Sequence, residues 1–167
     1  SENFDNVEKI YDKDFFSLNL YDFVAKDLNE NVLEIGCGSG TGLFFLAQKY
    51  PHVDFTGIDF AKKSIENANN TNKLKNTNFQ YGDAENLNFL DKSFKNIINV
   101  ESAHNYKDMD KFLFHVYRVL KDDGTFYFTD LINIHNINYN DYINYFKKYF
   151  KIKKEINISN QVLNALN

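Results

Sequence analysis

Short apolar runs alternate with segments of helical period along most of the chain. Residues 15–28 place Phe16, Leu20, Phe23, Val24 and Leu28 at three- and four-residue steps, which predicts an amphipathic helix. Residues 32–35 are a short, mostly apolar run and predict a buried strand. The same reading gives helices over 41–49, 62–72, 108–120, 140–150 and 159–166. It gives strands over 54–59, 78–81, 94–100, 124–130 and 152–156. The run 94–100, with Phe94, Ile97, Ile98 and Val100, is read as a strand covered on both faces. In 108–120, Met109, Phe112, Leu113, Val116, Val119 and Leu120 share one side. Asp122, Asp123 and Gly124 predict a turn between helix and strand. Strand and helix recur at a spacing of roughly 25 residues, which implies a mostly parallel sheet between two helical layers. The expected fold is therefore α/β, a Rossmann-like three-layer sandwich. Ligands of such sheets bind beyond the carboxyl ends of the strands, where strand order reverses.

Composition narrows the setting without naming a chemistry. At 167 residues, with 43% hydrophobic and 25% charged positions, the chain suits one domain. It divides into an N-terminal helical segment (1–30), a cofactor-binding core (31–130) and a C-terminal part (131–167). A net charge of −4 argues against a nucleic-acid partner, whose binders carry a basic surplus. No apolar run approaches the ~20 residues of a membrane span, and no leader pattern opens the chain. The lone Cys37 has no partner within the chain, which suits a reducing, cytoplasmic setting. Lys147, Lys148, Lys151, Lys153 and Lys154 suit a solvated face, or one that meets an anionic acceptor or a lipid surface.

The richest stretch is 32–42, where Glu34 precedes Gly36, Gly38, Gly40 and Gly42 on alternate positions. Such a sequence turns a strand sharply into a helix and leaves bare backbone for a ligand. A dinucleotide fingerprint would need glycine at Thr41 or Leu43, and both frames fail. Glu34 would repel a phosphate and attract a cation. The loop thus suits a positively charged nucleoside without phosphate, and S-adenosylmethionine fits that description; the alternative is a tight turn alone. Asp59 ends the second strand, where an acid can accept from ribose hydroxyls or cap the next helix. Asp83 and Ala84 follow the third strand and could meet an adenine or form a plain turn. Asn99, Glu101 and His104 crowd the end of the fourth strand. His104 is placed as a general base, against its reading as a surface residue. Asp130 ends the fifth strand and could hold substrate or cap a turn. Tyr106 is an aromatic candidate for the cleft. No trio of metal ligands follows the fourth and fifth strands.

Taken in order, these residues resemble the class I S-adenosylmethionine-dependent methyltransferases. Residues 34–40 match that family's glycine loop, Asp59 its ribose acid, and Gly82, Asp83 and Ala84 its adenine motif. Residues 118–124 match its R-V-L-K-P-G-G, with Asp122 and Asp123 in place of Pro and Gly. Residues 99–104 resemble the N-V-E-x-x-H stretch of enzymes that methylate lipids and natural products. The resemblance implies a cofactor site of Glu34, Gly36, Cys37, Gly38, Gly40, Asp59, Phe60, Asp83, Ala84, Asn99 and Glu101. It implies His104 as catalytic residue, and Tyr11, Tyr106 and Asp130 near a small-molecule acceptor methylated on O, C or N. Lys95 departs from the family's usual Asp. Relatives continue to a last antiparallel strand beyond Asn167; without it, an exposed sheet edge would favour a homodimer. The alternative function is a catalytically idle cofactor-binding partner.

Overall fold

The computed structural model describes residues 16–132 and 137–159. Helix α1 (Phe16–Val24) leads into β1 (Asn31–Ile35), α2 (Thr41–Lys49), β2 (Asp54–Asp59), α3 (Lys62–Thr71) and β3 (Thr77–Tyr81). The chain then forms β4 (Phe94–Val100), α4 (Met109–Val119), β5 (Leu120–Thr129) and α5 (Tyr139–Lys147). The five strands form one parallel sheet in the order β3-β2-β1-β4-β5. Two successive strands step outward from β1 on one side before the chain crosses to β4 on the other. The reversal therefore falls between β1 and β4, which fixes where a cleft opens.

Alternation within the strands sends side chains to two cores. Val32, Ile98 and Val100 face Leu20, Leu43, Leu46 and Ile65 of α1, α2 and α3. Leu33, Ile35 and Ile97 face Phe112, Leu113, Val116, Tyr142 and Phe146 of α4 and α5. Each fully buried Leu, Ile or Phe contributes roughly 1.5–3 kcal/mol. Helix α4 starts where the Asp108 carboxylate accepts the Lys111 N–H at 3.0 Å.

Three details differ from the sequence expectation. Helix α1 stops at Val24, short of residue 28, and Ala25 and Leu28 are buried beyond its end. Residues 122–124 do not form a separate turn, because β5 begins at Leu120. The register jumps from Phe94↔Leu120 to Asn96↔Thr125, so residues 121–124 bulge opposite Lys95. The bulge is pinned by two ion pairs, Lys95 to Asp123 at 2.6 Å and Lys92 to Asp122 at 2.7 Å. The departures at Lys95 and Asp123 thus meet one another. Finally, residues 152–156 form no strand. Ile152 packs into the α4–α5 core, and Tyr139 donates to Glu155. Of the helix expected over 159–166, all but Ser159 lies outside the described residues.

Candidate functional site

A cavity of about 310 Å³ opens at the carboxyl ends of β1 and β4. Gly36, Cys37, Gly38, Ser39, Thr41 and Gly42 form one wall, Val100 and Glu101 another, and Leu18 and Tyr21 of α1 close the third. The loop 36–42 is hung from β2: Gly36 and Cys37 donate to the Ile58 carbonyl at 2.9 and 3.0 Å. Gly36, Gly38 and Gly40 all have positive φ, a conformation that a side chain disfavours. Their surroundings differ. A Cβ on Gly36 would lie 2.7 Å from Ser102 Cβ and 2.8 Å from Tyr106 Oη. A Cβ on Gly40 would meet the Phe79 ring at 2.7 Å. A Cβ on Gly38 would meet nothing within 4 Å. Gly36 and Gly40 therefore serve close packing, while Gly38 presents open backbone.

Glu34 is fully buried on the α1 side of β1. Tyr21 Oη donates to its Oε1, and Oε2 has no partner among the described residues. The Tyr21 ring fits where Gly42 lacks a side chain. Burial pushes the Glu34 pKa up to about 8; the Tyr21 hydrogen bond opposes that shift and Asp59 adds to it. At neutral pH this carboxyl therefore carries its proton, whereas the sequence reading took it as an anion facing the cleft. A cation placed beside it would favour ionisation. Burial also pushes the Cys37 thiol far above its usual range, which leaves it inert as a nucleophile.

Beneath the loop, Asn99 Nδ2, with two protons to donate, lies within hydrogen-bond reach of three acceptors: the Ile35 carbonyl at 2.9 Å, Ser102 Oγ at 2.8 Å and Tyr106 Oη at 2.9 Å. The Asn99 Oδ1 is buried without a partner among the described residues. Tyr106 thus points its hydroxyl under the loop, and its ring packs on Phe112 at 4.8 Å. Burial raises its pKa to about 12. Asp59 bridges two elements: Oδ2 accepts the Gly38 N–H and Oδ1 the Ala61 N–H, both at 2.8 Å. Asp83 Oδ1 accepts the Glu85 N–H at 2.8 Å in the turn after β3, and Ala84 is buried beside it. Phe60 is 67% exposed, with its ring 5.5 Å from Tyr81.

Glu101 follows β4 with φ +49, a left-handed conformation unusual outside glycine. Burial raises its pKa, Asp130 adds to the shift and His104 opposes it. His104 lies three residues on, in a short 3-10 turn. The Asp130 side chain is wholly buried; its Oδ1 is 2.5 Å from His104 Nδ1, and its Oδ2 accepts the His104 N–H at 2.7 Å. The same carboxylate accepts the Leu131 N–H at 2.8 Å. Asp130 holds the histidine by both ring and backbone.

Of the expected positions, Gly36, Cys37, Gly38 and Glu101 line the cavity, Asp59 reaches it through Gly38, and Glu34 and Asn99 lie beneath. Asp83, Ala84 and Phe60 stand around the ends of β2 and β3. Tyr11 lies outside the described residues. Sequence reasoning missed Tyr21, Leu18 and Ser102. Tyr21 lies within the amphipathic pattern of α1, and only its contact with Gly42 sets it apart.

A family model described as a methyltransferase domain matches residues 26–164. The chain is 37% identical over 118 residues to a fatty-acid O-methyltransferase of Mycolicibacterium smegmatis, covering 69% of this chain and 43% of that protein. It is 37% identical over 117 residues to the phthiotriol/phenolphthiotriol dimycocerosates methyltransferase of Mycobacterium tuberculosis, with 68% and 43% covered. The chain thus spans less than half the length of these curated relatives. Among solved structures it resembles the YcgJ protein from Bacillus subtilis, with a TM-score of 0.59 at 35% identity over 66% of this chain and 48% of that one.

Proposed function

The chain belongs to the methyltransferase domain family, and on that premise we propose that it transfers a methyl group from S-adenosylmethionine to an oxygen of a small, lipid-like acceptor. The observation that carries this reading is the cavity between the open backbone at Gly38 and Glu101, above the reversal of strand order. The residues there fit the cofactor. Asn99 Oδ1 is a buried acceptor lacking a donor among the described residues, and the neutral Glu34 carboxyl, whose Oε2 has no partner there, gains its charge when a cation comes near. Asp59 keeps spare lone pairs on both oxygens for sugar hydroxyls. Asp83, Ala84 and Phe60 would meet the base. When bound, S-adenosylmethionine supplies a methyl group already activated on a sulfonium.

The protein's part is to align and to move one proton. Asp130 occupies Nδ1 of His104, which leaves Nε2 as the nitrogen that can take a proton from an acceptor hydroxyl or carboxyl. The 40% exposed His104 side chain leaves that nitrogen approachable. An oxygen acceptor on a lipid is supported by the two relatives named above, one a fatty-acid O-methyltransferase and the other acting on phthiotriol derivatives. A reducing, cytoplasmic setting suits the single buried thiol.

The test has two steps. Calorimetry should detect S-adenosylmethionine binding, and incubation with fatty acids and hydroxylated lipids should give methyl ester or ether. His104→Ala should keep binding and lower kcat by about 10²–10⁴. Binding without product on any such acceptor would refute the lipid reading, and absence of binding would refute the cofactor site.

A further inference from the structure

The outer face of α4 and the segment after α5 carry a surface that the cleft does not use. Residues 147–154 read Lys-Lys-Tyr-Phe-Lys-Ile-Lys-Lys, with no acid, in a chain of net charge −4. Phe114 and Tyr117 of α4 are 47% and 55% exposed. Their rings join the basic segment: Phe114 lies 6.4 Å and Tyr117 5.9 Å from Tyr149, and Tyr117 lies 6.2 Å from Phe150. Lys148 Nζ sits 4.9 Å from the centre of the Tyr149 ring and pairs with Asp110 at 2.8 Å. Asp110 is thereby neutralised. Lys147 and Lys151 are exposed and form no ion pair among the described residues.

We propose that this face docks the protein on an anionic lipid bilayer. Phe114, Tyr117 and Tyr149 enter the headgroup boundary, and Lys147 and Lys151, whose charges are not spent on an acid among the described residues, meet lipid phosphates. Aromatic rings with an apolar body suit that boundary, and lysine stems reach outward from it while keeping their charge wet. Each lysine near such a surface strengthens partitioning about fivefold. Charge decides between polyanions. A bilayer need meet the protein only at this patch. A nucleic acid would run off it onto the rest of a net-acidic surface, and these rings form an outward face rather than a groove for bases.

Flotation of the whole chain with vesicles tests the proposal. It should bind an equal mixture of phosphatidylcholine and phosphatidylglycerol but not phosphatidylcholine alone. Raising salt from about 0.1 to about 1 M, which shortens screening from ~10 to ~3 Å, should weaken that binding. Lys147→Glu with Lys151→Glu should lower partitioning at least about 25-fold. Phe114→Ser with Tyr117→Ser should lower it while circular dichroism stays unchanged, since both side chains are exposed. Failure to bind the mixed vesicles, or equal binding by both variants, overturns the proposal. Displacement from the vesicles by an oligonucleotide that the lysine variant no longer binds would assign the face to nucleic acid instead.

Discussion

Replacing Glu34 by glutamine should change how the stability of the fold depends on pH. Glutamine keeps an oxygen for the Tyr21 hydroxyl and nearly the same volume, so the packing of α1 on β1 is preserved while the titration is removed. In the wild type, the Glu34 pKa rises from an ordinary 4.5 in the unfolded chain to about 8 in the fold. That difference corresponds to an upper bound of about 5 kcal/mol. The sign follows from proton counting. Between those two values the unfolded chain has released the proton and the folded one still holds it. Stability due to this group is therefore full below about pH 4.5, falls by up to about 1.4 kcal/mol per pH unit, and is lost above about pH 8. Some relief from water entering the site brings the expected loss to roughly 2–5 kcal/mol. Urea unfolding of wild type and Glu34→Gln at intervals from pH 5 to 8.5 would measure it, because the difference between the two curves isolates this carboxyl from all others. A difference that stays flat across the window would refute both the burial argument and the protonated state.

Tyr21→Phe should cost about 1–3 kcal/mol at neutral pH, since Glu34 then loses its only hydrogen-bond partner among the described residues; thermal melting would show it. Gly36→Ala should destabilise by more than about 2 kcal/mol through collision with Ser102 and Tyr106. Gly38→Ala, whose Cβ meets only open space, should cost about 1 kcal/mol of backbone strain yet weaken S-adenosylmethionine binding more than Gly36→Ala weakens it per unit of lost stability. Melting temperatures paired with calorimetry separate the two. Asp130→Asn should lower kcat while leaving the cofactor Kd unchanged; a variant with wild-type turnover would remove Asp130 from the positioning of His104.

The sheet was legible because buried strands leave apolar runs that little else in the chain imitates. The run 94–100 matches β4, and 54–59 matches β2. The glycine loop was legible because positive φ leaves its mark in residue type. What stayed hidden was decided by contacts between distant segments. Tyr21 and Glu34 are thirteen residues apart, and His104 and Asp130 twenty-six; no local spacing announces either pair. Residues 152–156 offered β-forming side chains, but a strand exists only by pairing, and Ile152 instead fills a gap between helices. The turn expected at 122–124 dissolved into a bulge because Lys92 and Lys95 stand ready to receive its two acids.

The ring of Tyr21, lodged in the notch at Gly42 and bonded to a buried acid, makes attachment of the first helix a proton-linked equilibrium. Lifting that helix would let water reach Glu34 and free its proton into the solvent. The helix that walls the cavity is thus fastened through the same side chain that shuts water away from this carboxyl, so seating of the helix and the proton on Glu34 belong to one linked balance.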